Sequence, residues 1–536
     1  MLACAAPVSL EGRSDQPVQQ PKRGGYLKHL LPYSANNIDP YTTDDATGYQ
    51  FISPNWYEGL VAIEFIPGQD WRIENKPVPW LAESWKLEEK NTYTFTVRKG
   101  VKFHNGDPMS ADDVVWSYRR FTDGKEKLNP NVQAFMTGVA TVDKLDDYTV
   151  KLTTKQPDAD TLTNLAARSI SILPKKFAEG GGDLTKEAVG TGPFRLASYK
   201  KDGEGLAVRN ENYWQPGRPY MDGVKMALRV DDTQMQAAFS ARQADILMRN
   251  DKNQFLPIQS AVPDVQFARY VINSNGAIMV NLKKTPFQDI RVRRAMHLAL
   301  DRQEMNEYMT FGEGVLSAPL VQAGKTGWTI PQEELLKMPG YRQPKDQDIA
   351  EAKRLMREAG YPDGFKTTLL YASSVAVSPP TAQAAEGQWK RNLNLDIQLI
   401  PADNATRLQR RQRGEYDLNV DSPGYLDKPA VLARSEFHSS GVFSQAQGIN
   451  DPELDRLIDL QGDEFDSVKR GAIFVQIQRM LLEKLYAIPV PQTVLYQVWQ
   501  PWVYDWVGNM GSRQTVMNPT AIWMDVETAP VDRRGP

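Results

Sequence analysis

The chain has 536 residues, 41% of them hydrophobic. At roughly 150 residues per domain it has material for about three domains or one large two-lobed body. Lysine and arginine (63) balance aspartate and glutamate (66) and are interspersed, and the net charge of -3 with a pI near 6.0 excludes the basic footprint of a nucleic-acid binder. The single cysteine, Cys4, rules out an internal disulfide and a cysteine-based metal cage, and no apolar run reaches the roughly 18 residues of a helical membrane span.

From the N-terminus, Met-Leu-Ala-Cys-Ala-Ala resembles the end of a bacterial lipoprotein signal, in which the cysteine is lipidated and the mature chain begins; Leu2 stands where a smaller residue is usual. Residues 7–23, rich in Pro, Gln and Ser, then read as a tether between an anchor at Cys4 and a globular body. Thr92 to Val97 alternates β-favouring side chains with threonines, the period of a half-buried strand. Arg98, Lys99 and Gly100 make a turn, Val101 and Phe103 begin a second short strand, and Asn105, Gly106 and Asp107 close it. A helix comes next, capped by Ser110 with Asp113 in the reciprocal position, and Val114, Val115, Tyr118 and Phe121 recur on one face. Asp112 and Asp113 read as solvated acids favoured by the helix dipole.

Further along, Asp289 precedes a helix carrying Ile290, Ala295, Met296 and Ala299, and Asp451-Pro452 opens another with Leu454, Leu457 and Ile458 on one face. A long helix from about Ser467 to Tyr486 ends before an extended segment, Ile488 to Pro491. Strands alternating with capped helices give an α/β pattern.

Enzyme motifs are missing. The four histidines (His29, His104, His297, His438) form no His-Glu-x-x-His, and no Gly-x-Ser-x-Gly elbow occurs. Gly324-Lys325-Thr326 imitates a phosphate loop, but Pro319 occupies the first glycine position, and Gly190-Thr191-Gly192 has Arg195 where a dinucleotide motif needs its third glycine.

The segment Leu81 to Arg120 resembles, almost word for word, the signature of the extracellular solute-binding proteins of family 5, the dipeptide and oligopeptide type that serves ABC importers. Matches continue in order through Arg23 to Leu27, Tyr57-Glu58-Gly59-Leu60, Gly190 to Phe194, Asn210, Tyr213-Trp214, Asn281, Val292 to Ala295, Asp301-Arg302 and Ala352 to Phe365. The resemblance implies a two-lobed α/β periplasmic binding protein of type 2 (cluster C) with an additional domain inserted in the first lobe. It places lobe I at 24–55, 190–275 and 488–526, the insertion at 56–189, lobe II at 276–487 and a tail at 527–536, with 1–23 as signal remnant and tether. The two crossings between lobes would form a hinge.

For function, the resemblance implies an extracytoplasmic, periplasmic or lipid-anchored receptor, monomeric; some members of the family bind nickel complexes or sugars, but with four histidines and one cysteine no metal and no cofactor is expected here. It would capture an oligopeptide or similar small solute between its lobes and deliver it to an inner-membrane ABC permease. The alternatives are a sugar or other non-peptide solute and, from a different class, a hydrolase. In peptide-binding relatives a Trp-x-Ala-Asp-Tyr segment supplies the carboxylate for the ligand ammonium; here Tyr425 and Asp427 stand nearest its aromatic and acid, in departed wording, with Lys428 beside them. Fold position adds Ser274 and Asn275, Ser373 and Ser374 after an apolar strand, and Asn55 and Tyr57.

Overall fold

The computed structural model describes residues 19–32, 34–35, 37–43, 56–64, 76–167, 169–271, 276–321, 325, 327–373, 375, 377–421, 429–506 and 520–535. Cys4, Asn55, Ser274, Asn275, Ser374, Tyr425 and Asp427 lie outside these residues. The chain divides into two compact units, one of Tyr270–Leu495 and the other of the described residues of Val8–Arg269 and Tyr496–Pro536.

The larger unit is built on a seven-stranded mixed sheet in the order Gln266–Val271, Val494–Trp499, Ile246–Asn250, Tyr26–Leu31, Gly223–Leu228, Glu204–Arg209, Phe194–Tyr199. Its central strand, Tyr26–Leu31, pairs in parallel with Gly223–Leu228, Tyr26 opposite Gly223. The segment 56–189 contributes a separate antiparallel sheet in the order Ala82–Glu89, Thr92–Val97, Thr149–Thr154, Val139–Asp146. Thr92–Val97 is a strand, as its alternation predicts. Val101 and Phe103 do not make a second one: only a single bridge, Lys102 to Pro108, forms before the turn closes.

The helix Ala111–Thr122 packs on this sheet. The Ser110 side chain accepts from the Asp112 N–H, and the Asp113 carboxylate returns a bond to the Ser110 N–H at 2.9 Å. Asp113 is not the solvated acid that the sequence suggests. It is buried, and its second oxygen accepts from the Lys175 N–H at 3.0 Å, which docks a segment 62 positions away. Asp112 is exposed and pairs with Lys144 at 2.7 Å.

The smaller unit carries a five-stranded sheet in the order Asp396–Ala402, Lys366–Ala372, Leu418–Asp421, Ala277–Val280, Ala487–Pro489. Ile278 and Val280 of Ala277–Val280 join one apolar cluster, with Trp389 and Met296, while Ala277 and Met279 join a second, with Phe474 and Tyr486. Successive residues of a strand point to opposite faces, so both faces of this sheet are covered. Asp289 caps Ile290–Leu298 and Asp451 caps Pro452–Gly462 through their side chains. The long helix is Ser467–Lys484; it stops two residues earlier than its apolar pattern because Leu485 turns left-handed, with φ 52.

Candidate ligand-binding site

Strand direction decides where the nominated segments of the smaller unit lie. Lys366–Ala372 runs parallel to both Asp396–Ala402 and Leu418–Asp421, so the three strands end at one edge of the sheet. Ala277–Val280 runs the other way, with Ala277 opposite both Asp421 and Pro489, so it begins where the others end. The chain stretches that come after Ala372, before Ala277 and after Asp421 therefore attach to a single edge. These are the stretches that contain Ser373 and Ser374, Ser274 and Asn275, and Tyr425 and Asp427. In open α/β sheets ligands bind outside the carboxyl ends of the strands, which is this edge.

Ser373 is the one residue of those six that the structure describes, and it is exposed. Its N–H and its hydroxyl both donate to the Ala402 carbonyl, at 2.8 and 3.0 Å, which ties the ends of two parallel strands together and leaves the hydroxyl oxygen with its lone pairs to accept. Tyr57, in the other unit, has 1% exposure and belongs to the core formed with Trp56, Leu60 and Phe95. Its hydroxyl meets no partner among the described residues, and burial raises its pKa well above that of a free phenol.

Behind the edge lies a charge cluster that the sequence reading did not nominate. Asp421, the last residue of its strand, is 2% exposed and is flanked by Arg407, at 3.3 Å, and Arg411. Arg411 also pairs with Glu436, and its guanidinium lies 4.0 Å from the Phe443 ring centre. All four charged groups are buried. Burial pushes the Glu436 carboxyl up to about 7 against the pull of Arg411. Burial alone would lower the Arg411 pKa, but Asp421 and Glu436 together raise it. Two guanidiniums against two carboxylates leave the cluster neutral, yet Arg411 Nε and the Asn419 amide nitrogen meet no acceptor among the described residues. The signal in the sequence was the four-residue spacing of Arg407 and Arg411, hidden within Asn404–Gln412, a helix so polar that it reads as a solvated face.

The larger unit has its own buried acid, Glu58 of the Tyr-Glu-Gly-Leu motif. Its oxygens accept from Trp80 Nε1 (2.8 Å), Tyr213 OH (2.6 Å), Thr191 Oγ1 (2.8 Å) and Trp214 Nε1 (3.1 Å). Burial raises its pKa while these four donors lower it. The Gly190-Thr191-Gly192 segment that supplies Thr191 is held by His104. Protonated on Nε2, the ring donates to the Gly192 carbonyl at 3.0 Å and accepts from the Gly190 N–H at 3.3 Å. Gly190 passes so close to the chain that a Cβ there would stand 1.9 Å from the Trp56 carbonyl oxygen. This motif thus packs tightly against the chain at Trp56. Among the described residues no group of three or more His, Cys, Asp or Glu is placed to hold a metal, and no helix is long and apolar enough to cross a membrane.

Comparison with known proteins agrees with this topology. The family model for the bacterial extracellular solute-binding proteins, family 5 (middle region), matches residues 76–440. The chain belongs to that family. It is 26% identical over 516 residues to di/tripeptide-binding protein 1 of Pseudomonas aeruginosa, spanning 88% of this chain and 90% of the relative. Haem-binding protein A of Haemophilus influenzae is 27% identical over 505 residues, with 88% and 87% covered. The periplasmic binding protein DppA of Helicobacter pylori, solved with the peptide STSA, superposes with a TM-score of 0.75 at 21% identity, over 94% of this chain and 99% of that one. The fold is the two-lobed α/β fold of these periplasmic binding proteins.

Proposed function

We propose that this chain is the solute-binding component of a bacterial ABC importer, taking an oligopeptide or similar small solute between its lobes and delivering it to an inner-membrane permease. The observation that carries the reading is membership of the family over residues 76–440, together with a curated di/tripeptide-binding relative matched along 90% of its length. In this reading lobe I comprises 24–55, 190–275 and 488–526, with 56–189 inserted, and lobe II comprises 276–487. The protein binds without catalysis, works outside the cytoplasm as a monomer, and is held to the membrane by a lipid on Cys4.

Chemistry at the edge of the smaller unit favours a ligand with its own charges and backbone polar groups. The Ser373 hydroxyl is exposed and the stretch of chain after Asp421 carries Tyr425 and Asp427, with Asp427 assigned to the ligand ammonium. A non-peptide solute is the second reading, favoured by the 27% identity to a haem-binding protein. Calorimetric titration with di-, tri- and tetrapeptides, and with haem, decides between them. Peptide binding that falls by well over tenfold in Asp427→Asn supports the first reading. Haem binding with no peptide heat establishes the second.

A further inference from the structure

The smaller unit contains a cavity of about 580 Å³ that none of the nominated segments lines. It sits between the helix Ile290–Leu298, the turn at Met338–Arg342, the helix Asp346–Glu358 and the end of the helix Ser467–Lys484. Its volume lies within the range of small-molecule sites, roughly 300 to 1,000 Å³.

The floor is rigid. Arg302 is fully buried beneath it and donates to the carbonyls of Pro489 (2.9 Å), His297 (3.2 Å) and Gly340 (2.5 Å) and to His297 Nδ1 (2.9 Å). This fixes the His297 proton on Nε2, which donates to the Pro339 carbonyl at 3.2 Å. His297 therefore has no lone pair for a metal and no proton for a ligand. What the floor offers is apolar surface from Met338, Tyr341, Leu482 and Leu485.

The rim is charged, and its charges differ in availability. Arg342 is engaged by Asp348 at 2.8 Å, and Glu351 receives Arg354 at 2.8 and 2.6 Å. The side chains of Arg294 and Glu483 make no hydrogen bond and no close ion pair among the described residues, while the Glu351 pKa, lowered by the Arg354 hydrogen bond, is lowered further by the Arg294 charge across the rim. They stand on neighbouring helices that meet where Arg293 donates to the Lys484 carbonyl at 2.9 Å. A guanidinium and a carboxylate with unused hydrogen-bonding capacity on one rim, beside an apolar floor, match a ligand that carries both a carboxylate and an ammonium on an apolar body.

We propose that this cavity is a second ligand site, separate from the edge where the parallel strands end, which takes an α-amino acid with a large apolar side chain: the α-carboxylate on Arg294, the ammonium on Glu483 and the side chain over Met338 and Leu482. It owes nothing to the identity of the transported solute.

The probe is 4-fluoro-L-phenylalanine, monitored by fluorine NMR on the full chain. The expected result is a dissociation constant below about 1 mM. Arg294→Ala and Glu483→Gln, both at exposed positions, each weaken binding by about tenfold or more. The end groups supply the matching control: capping the carboxylate as an amide weakens binding to the wild type but not to Arg294→Ala, and N-acetylation weakens it to the wild type but not to Glu483→Gln. Leu482→Trp, which fills the cavity, abolishes binding. The proposal is overturned if no binding occurs, or if the probe binds all variants alike. Binding that short peptides displace while Arg294→Ala leaves it intact assigns the probe to the transport site and overturns the proposal equally.

Discussion

Each unit buries carboxylates, and it solves the problem differently. Glu58 in the larger unit is served only by neutral donors, four of them, which use all its acceptor capacity and join 56–63, 80, 191 and 213–214 into one knot. Asp421 and Glu436 in the smaller unit are served by guanidiniums, and among the described residues Arg411 Nε and the Asn419 amide nitrogen find no acceptor. A saturated network has nothing left to offer a ligand or water and acts as a joint. An unsaturated charged one, placed behind the edge where three parallel strands end, keeps capacity for a solute or ordered water.

The comparison breaks most visibly at Arg411. Arg411→Leu leaves two carboxylates buried without their common partner, a loss of about 3 to 5 kcal/mol, read as faster hydrogen exchange in Leu418–Asp421 with the larger unit unaffected. Glu58→Gln should be milder, about 1 to 3 kcal/mol, because an amide keeps one acceptor while its nitrogen now faces donors. Its signature is confined to the larger unit, seen as a lower denaturation midpoint by Trp fluorescence.

Acid separates the units further. Burial lowers the His104 pKa to about 4, below its value of about 6.5 in the unfolded chain. A depressed base contributes stability that is complete above pH 6.5 and is lost as pH falls toward 4, about 2 kcal/mol by pH 5. His104→Gln, which has no proton to gain there, should flatten that limb in a pH series of thermal melts. Glu436 acts with the opposite sign. Its folded pKa of about 7 lies above the ordinary 4.5, so its contribution is complete below 4.5 and lost as pH rises through 7. The smaller unit should gain about 1 kcal/mol between pH 7.5 and 6, and Glu436→Gln should remove the gain. A rise that persists in Glu436→Gln assigns the titration to another group.

Local chemistry explains what could be read from the residues. The capping box of Ser110 and Asp113, the strand Thr92–Val97 and the helices after Asp289 and Asp451 depend on neighbours within a few positions, and each is present. Long-range partners were not legible. The burial of Asp113, which read as solvated, depends on Lys175, and that of Arg411, which the sequence did not single out, depends on Asp421 and Glu436. Tyr57 was nominated for its place in the chain, and an apolar core encloses it. Edge topology connects the nominated segments of the smaller unit although five of their six residues lie outside the described chain, because strand direction, unlike side-chain contact, survives without them.

The central claim is that this family member is a receptor whose cargo is a peptide. Native mass spectrometry of freshly purified protein tests it most directly, since a bound solute keeps its mass. The account predicts a population heavier than the apo chain by the masses of short peptides, which shifts to a single added mass when one peptide is supplied and which is depleted in Asp427→Asn. A co-purified species whose fragments contain no amino-acid residues, retained against excess peptide, would contradict it.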